Sequence, residues 1–169
     1  DIVGYVAIGS GESGPTYARS NINLGCEAIY DATQAQLHGA QLESGNPAER
    51  GCAANDPVCH NGERLSSTVG YGAIDFVNPS GDTATWELSS CRAGHVWVIF
   101  GYALGGDGAT GHDRPMQVDI NGEVVDAYMS MPRTGSWSTY SEVRVPAMLR
   151  AGRNSVTLTA IGFSGPDVD

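Results

Sequence analysis

Aromatic side chains in glycine- and serine-rich loops are the residues of this sequence best suited to hold a ligand. Trp137 and Tyr140 lie in the segment Gly-Ser-Trp-Ser-Thr-Tyr, residues 135–140, which offers no apolar neighbours to bury them. Tyr71 stands between two glycines in another loop. An aromatic ring presented from a loop at the end of a sheet can stack on a sugar ring or a base. We therefore expect these three residues to contribute to a stacking surface.

Motifs for catalysis are weak. Residues 106–111, Gly-Asp-Gly-Ala-Thr-Gly, match a dinucleotide-binding fingerprint by spacing, but the segment that follows alternates like a strand, whereas the fingerprint requires a helix. The four histidines show no pair at metal-ligand spacing, and only His112, in the glycine-rich loop, is retained as a candidate ligand contact. Arg114 is a candidate hydrogen-bond donor, although it is also placed to pair with Asp113. No nucleophile elbow of the Gly-x-Ser-x-Gly kind is present.

Composition limits the class of partner. The chain has 169 residues, which suits one domain, and 23 glycines, which suits many tight turns. Its net charge is −10, and all nine basic residues are arginines. Such a surface repels phosphate backbones and anionic lipids, so nucleic acids and membrane surfaces are not expected partners. No apolar run approaches the ~20 residues of a membrane-spanning helix.

The elements that must position the loop residues are strands. Val156, Leu158 and Ala160 alternate with polar residues, which predicts a strand with one buried face. The run 96–100, Val-Trp-Val-Ile-Phe, predicts a central strand buried on both faces. We expect Phe76, Trp86, Trp97 and Phe100 in the core. Asn121-Gly122 predicts a type I′ hairpin turn, and Gly152 and Asn154 supply turn chemistry tolerant of positive φ. The pattern predicts an all-β sandwich.

Four cysteines, none at zinc-ribbon spacing, favour two disulfides. The preferred pairing joins Cys52 to Cys59 around a local loop and Cys26 to Cys91 between two strand starts. Four reduced thiols are the alternative. Oxidised cysteines would indicate a secreted protein.

The order of the pieces from Tyr30 to Asp169 resembles the calcium-binding β-sandwich carbohydrate-binding modules of families 6 and 35. The resemblance rests on the opening strand before Asp31-Ala-Thr33, on the strand ending in Tyr102-Ala-Leu-Gly-Gly, and on Asp113-Arg-Pro with the Asn-Gly hairpin. The segment 134–160 matches the C-terminal half of these modules. It implies a jelly-roll sandwich of two antiparallel sheets over residues 26–169, with residues 1–25 as an N-terminal extension or extra edge strand.

The resemblance also implies two sites. A structural calcium would be held by Asp31 and Asp169, with Thr33 as a weaker contributor because it stands where the family has a second acid. A sugar would lie in loops at one end of the sandwich, held by Tyr71, Trp137 and Asp167, the last replacing an asparagine. Tyr140 and His112 would form walls, and Arg114 would add a donor. Gly101 stands just before Tyr102, where these modules usually have a basic residue.

These implications predict a secreted, non-catalytic carbohydrate-binding protein, either a lectin or a module of a larger polysaccharide-degrading enzyme. The expected partner is a mono-, oligo- or polysaccharide. A neutral hexose such as galactose or mannose is preferred to a uronate, because the chain carries −10 and the site an extra acid. Two rivals are a protein-binding adhesion or structural sandwich and an enzyme that uses acidic residues on the concave sheet face.

Overall fold

The structure is a computed structural model that describes residues 2–8, 29–30, 32–43, 59–60, 63–64, 73–105, 111–137 and 139–168. Within these ranges it consists of strands and one short 3-10 helix, Ala32–Gln34. The strands, in chain order, are β1 Ile2–Ile8, β2 Ile29–Tyr30, β3 Gln36–His38, β4 Gln41–Glu43, β5 Cys59–His60, β6 Glu63–Arg64, β7 Ala73–Asp75, β8 Ser80–Ser90, β9 Gly94–Ala103, β10 Met116–Ile120, β11 Glu123–Met129, β12 Tyr140–Leu149, β13 Gly152–Ile161 and β14 Asp167–Val168.

Two sheets form the sandwich. The five-stranded sheet has the order β11-β10-β13-β8-β3 and is antiparallel. The seven-stranded sheet runs β2-β1-β9-β14-β7-β4, with β12 pairing along the full length of β9. On the other side of β9, β1 pairs with residues 95–100, and β14 pairs with Tyr102 and Ala103. The predicted two-sheet, all-β sandwich is confirmed. No described helix is long and apolar enough to cross a membrane.

The core lies between the two sheets and follows the predicted alternation. Val156, Leu158 and Ala160 on β13 are at most 1% exposed, and Trp86 on β8 is fully buried. The Trp86 ring meets Phe100 of the opposite sheet at a centroid distance of 6.4 Å and a tilt of 55°. Each buried aromatic ring of this size removes a large apolar area from water, so this pair ties the two sheets together.

The hairpin turns form where the sequence places residues that tolerate positive φ. Asn121 and Gly122 have φ of 54° and 82°, which is the type I′ geometry predicted for β10 and β11. Gly152 has φ of 88° between β12 and β13.

One local prediction is wrong. Trp97 is partly buried on the outer face of its sheet, where the Arg144 guanidinium lies 4.8 Å from its ring centroid. A continuously apolar strand gives no alternation by which to tell its two faces apart. Asn154 stabilises the turn, as predicted, through its side chain rather than through positive φ: it is 1% exposed and hydrogen-bonds Arg150.

The first strand joins this architecture in an unexpected direction. β1 runs parallel to β9, and its Val6 and Ile8 are buried in the core at 7% and 1% exposure. The boundary between residues 25 and 26 lies outside the described residues, so the division into an extension and a module remains a prediction.

Candidate functional site

Four loop segments meet at the end of the sandwich where β9 and β13 finish, and Arg114 links three of them. Arg114 precedes β10, and its Nη1 donates a hydrogen bond of 3.0 Å to the carbonyl oxygen of Gly165. Its guanidinium carbon lies 5.3 Å from the ring centroid of Trp137. Since both groups are partly buried, the cation lies against the indole with reduced screening by water. We call this set of loops, residues 104–105, 111–115, 132–137 and 162–166, the loop end.

A short turn held by side-chain hydroxyls presents Trp137. Thr134 and Leu104 exchange backbone and side-chain hydrogen bonds: the Thr134 amide donates to the Leu104 carbonyl at 3.0 Å, and the Leu104 amide donates to Thr134 Oγ1 at 2.9 Å. The hydroxyls of Ser136 and Thr139 bond each other at 2.9 Å. The hydroxyl residues Thr134, Ser136 and Thr139 therefore determine the shape of this loop.

Gly105 lets the indole lie against the backbone. A Cβ atom built on Gly105 would collide with Cδ1, Nε1 and Cγ of Trp137. One side of the five-membered part of the ring is thus covered by the chain, and Trp137 also packs against the core. The Arg114 guanidinium lies over the ring, and Trp137 is partly exposed, so a ligand bound at the exposed part of the indole would contact Arg114 as well.

Arg133 and Asp113 brace the segment that carries Arg114. The Arg133 amide donates to Asp113 Oδ1 at 3.2 Å, and its Nη1 donates to the Gly111 carbonyl at 3.4 Å. Asp113 was a candidate partner for Arg114, but it accepts a hydrogen bond from the Arg133 amide instead. Tyr102, whose hydroxyl donates to the Pro132 carbonyl at 2.9 Å, lies near the same carboxylate. Burial raises the pKa of Tyr102 above 10, a hydrogen bond with Ser141 opposes this, and Asp113 adds to it.

Of the predicted sugar-site residues, the structure brings together Trp137, Arg114 and His112. His112 is exposed two residues before Arg114. Asp167 and Tyr140 flank Ala103 of β9 on opposite sides, and Asp167 is partly buried. The side chain of Tyr140 and the whole of Tyr71 lie outside the described residues, so the complete set stays a prediction.

Sequence reasoning missed Phe163 and Gly105. Phe163 is 44% exposed, and its ring lies 5.8 Å from that of His112, with the two planes at 32°. The signal was available, because Gly-Phe-Ser-Gly at 162–165 places an aromatic residue among glycine and serine, as the loop around Trp137 does. Gly105 carried no such signal, since its contact with Trp137 spans distant loops.

The predicted calcium ligands fall largely outside the described residues. These include all of Asp31 and Asp169 and the side chain of Thr33. Among the residues that are described, no group of three or more His, Cys, Asp and Glu is arranged to hold a metal ion. The residues before the two acids pair at nearby positions along β9. Tyr30 pairs with Ile8, which itself pairs with Phe100, and Val168 pairs with Tyr102. β1 ends at Ile8, level with Phe100 and two positions before Tyr102 along β9.

The cysteines are described in part. Cys91 follows β8 in an exposed bend and is disulfide-bonded, and no described cysteine carries a free thiol. Cys26 and Cys52 lie outside the described residues, so the predicted pairs remain predictions.

Comparison with curated proteins finds relatives that are much longer than this chain. No family model matches it. An exo-β-D-glucosaminidase from Amycolatopsis orientalis is 28% identical over 120 residues, which is 69% of this chain and 11% of the enzyme. The chain spans 11–16% of the length of the first curated relatives that it matches.

Solved structures give a match over whole domains. A family 35 carbohydrate-binding module from Clostridium thermocellum is 29% identical, with a TM-score of 0.65, over 84% of this chain and 92% of that module. A second family 35 module, solved with a disaccharide containing glucuronic acid, is 27% identical with a TM-score of 0.52, over 60% of this chain and 71% of that one. The chain has the jelly-roll fold of these modules, and the resemblance predicted from its motifs is confirmed.

Proposed function

We propose that this chain is a non-catalytic carbohydrate-binding module of the family 35 type, which holds a sugar in the loops at one end of its sandwich. The observation that carries this proposal is the structural likeness to the Clostridium thermocellum module over 92% of that module's length. The matched segments of the longer curated relatives support it, because a binding domain is expected to occupy a small share of a large polysaccharide-active enzyme.

The sugar lies on Trp137 at the loop end, with Tyr71, Tyr140 and His112 as walls. An indole covers the C–H face of a pyranose, while charged groups orient its hydroxyls. Arg114 donates, and Asp167 accepts. This assignment is supported by the 5.3 Å approach of Arg114 to Trp137 and by the register that places Asp167 beside Ala103 at the same end of β9.

The preferred ligand is a neutral hexose of the galactose or mannose type. The charge of −10 and the extra carboxylate of Asp167 disfavour a uronate. One neighbour was solved with a glucuronic acid-containing disaccharide, and the arginine at this site supplies a cation that would suit such a ligand. A uronate is therefore the competing ligand that the experiment must include.

A structural calcium is held by Asp31, Asp169 and backbone carbonyls, with Thr33 contributing a weaker oxygen. The support is the register that places Tyr30 and Val168, the residues before the two acids, within two positions of each other along β9. Oxygen donors of this kind suit calcium. An ion bound only by the folded state stabilises it, so calcium raises the melting temperature. If the melting temperature is the same in calcium and in excess chelator, and elemental analysis finds no ion, the site is absent.

The protein is secreted, with Cys52 joined to Cys59 and Cys26 to Cys91. The disulfide-bonded state of Cys91 supports an oxidising compartment. Non-reducing peptide mapping is expected to recover both pairs, and a Cys52 peptide linked to Cys26 or Cys91 would refute the pairing.

A glycan array probed with and without chelator tests the function directly. We expect signals for glycans with terminal galactose or mannose, and no hydrolysis of polysaccharides incubated with the protein. A blank array would favour the protein-binding sandwich, and released sugar would favour the enzyme.

The variant Trp137→Ala tests the position of the site. It should lose roughly 1–3 kcal/mol of binding, about five- to 150-fold in affinity, because the stacking platform is removed. Trp97→Ala is the matched control, since Trp97 lies on the outer face of the sheet beside Arg144. If Trp137→Ala unfolds the protein and Trp97→Ala abolishes binding, the site is on the sheet face.

A further inference from the structure

Two contacts connect the same pair of segments at the loop end. The first is the hydrogen bond from Arg114 to the Gly165 carbonyl, and the second is the ring contact between His112 and Phe163. Each ring residue stands two positions before a member of the hydrogen-bonded pair. The two segments therefore lie side by side, and the ring pair belongs to the same loop end as Trp137 and Arg114.

Both segments are held in place, one by packing on the core and the other by a hydrogen bond between loops. A Cβ atom on Gly165 would lie 2.9 Å from the Met116 sulfur and from the Phe76 ring, so the backbone there packs directly on buried side chains. On the neighbouring segment, Asp113 accepts the Arg133 amide at 3.2 Å. The rings are thus presented from fixed backbone, which lowers the entropy that a ligand would have to remove on binding.

The ring pair is exposed, although residues that follow it closely in both segments are buried. Phe163 is 44% exposed and His112 is exposed, whereas Pro115, Gly165 and Pro166 are buried. Gly162, at φ of 101°, turns the chain at the end of β13 before Phe163. A phenyl ring beside an imidazole offers an apolar face with hydrogen-bonding nitrogens at its edge, which is the combination that a pyranose ring requires.

We propose that His112 and Phe163 form a second sugar subsite, which binds the next pyranose of an oligosaccharide whose first residue lies on Trp137. This inference rests on the proposed function of the loop end. It assigns the chain a preference for oligosaccharides over the corresponding monosaccharides, because only the longer ligand covers the exposed phenyl ring.

Isothermal titration with two classes of probe tests the subsite. The monosaccharides are galactose, mannose and glucuronic acid, and the longer probes are β-1,3-galactotriose, β-1,4-mannotriose and a disaccharide containing glucuronic acid. For Phe163→Ala we expect about a five- to thirtyfold loss of affinity for the longer probe that the wild type binds, in the range of a truncated aromatic contact. Its affinity for the matching monosaccharide should change less than about twofold, and Phe163→Tyr should restore most of the longer probe's affinity.

Val124→Ala is the matched control, because Val124 is a 54% exposed apolar residue on β11 near the opposite end. Equal losses for both probe classes in Phe163→Ala would assign Phe163 to the first site and overturn the second subsite. Unchanged affinity for the longer probe would overturn it as well, while leaving the proposed function intact. If neither the wild type nor Trp137→Ala binds any of the probes, both the proposed function and the subsite are wrong.

Discussion

The two ends of the sandwich use polar groups in opposite ways. At the hairpin end, formed by the turns at 121–122 and 150–154, the amide of Asn154 accepts from the Arg150 amide and from Asn121 Nδ2, both at 3.0 Å. It also donates to the carbonyls of Arg150 and Gly152 at 2.8 and 3.0 Å. At the loop end, by contrast, Arg114, His112 and Phe163 present charge and rings at the surface.

This difference shows where the molecule is locked and where it can recognise a ligand. Asn154 is 1% exposed and its hydrogen bonds all stay within the protein, so water has no access to them. Asn121 extends the network, because its Oδ1 accepts from the Ser155 amide at 3.1 Å. The hairpin end therefore stabilises the fold. The loop end keeps its aromatic and cationic groups where a sugar can reach them.

The largest expected effect is a loss of stability at the hairpin end. Asn154→Ala should lower the free energy of unfolding by about 3 kcal/mol, because several buried donors and acceptors lose their partner at once. Sugar affinity measured well below the melting temperature should change less than about twofold. Urea unfolding and isothermal titration check the two quantities.

Arg153→Ala is the control for this prediction. Arg153 belongs to the same hairpin, but its side chain is 87% exposed and its only ion pair seen in the described residues, with Glu87, spans 3.8 Å. Its removal should cost less than about 0.5 kcal/mol. A tenfold loss of sugar affinity in folded Asn154→Ala would show that the two ends are not independent.

A smaller effect, on binding as well as on stability, is expected from Gly105→Ala. The added methyl group meets the Trp137 ring, so the indole must move from its place beside Arg114. We expect sugar affinity to fall about tenfold, and stability to fall by about 1–2 kcal/mol from overpacking.

Gly122→Ala gives the complementary result at the hairpin end. Nothing lies within 4 Å of its added Cβ, but its φ of 82° strains any side chain, so stability should fall by about 1 kcal/mol with sugar affinity unchanged. If Gly105→Ala binds sugar as well as the wild type does, the position of Trp137 does not define the site.

The smallest effect concerns pH and the buried tyrosine beneath the loop end. The folded pKa of Tyr102 is raised, mainly by burial, so above pH 10 the unfolded chain releases its tyrosine proton while the folded chain retains it. The unfolded state then binds fewer protons, and stability falls as pH rises from about 10 towards the folded pKa. Urea unfolding between pH 8 and 11 should show this fall, and Tyr102→Phe should reduce it.

Asp113→Asn sharpens the test, because the Asp113 charge contributes to the raised pKa of Tyr102. Removing that charge should lessen the fall above pH 10, while the amide oxygen can still accept from the Arg133 amide. Tyr102→Phe should itself cost about 1 kcal/mol at neutral pH, since the hydrogen bond to Pro132 is lost. An unchanged slope in both variants would assign the alkaline loss of stability to other groups.

The sequence by itself determined the strands and their turns. Alternation along β13 identified its buried face, and Asn121-Gly122 identified the hairpin turn, because side-chain period and positive φ are properties of a few adjacent residues. It also identified Trp137, Arg114 and His112 as candidates, through loop composition and through the order of motifs.

Only the tertiary structure decided which of these residues meet. Trp86 stands in an alternating strand and lies in the core, as that alternation predicts. Trp97 stands in a continuously apolar run and lies under Arg144, because strand pairing sets which face of β9 is covered. Three separate loops supply Gly105, Trp137 and Arg114. Two separate loops supply His112 and Phe163. Their contacts depend on the register of β9, β10 and β13 in the two sheets, and no local pattern of residues records that register.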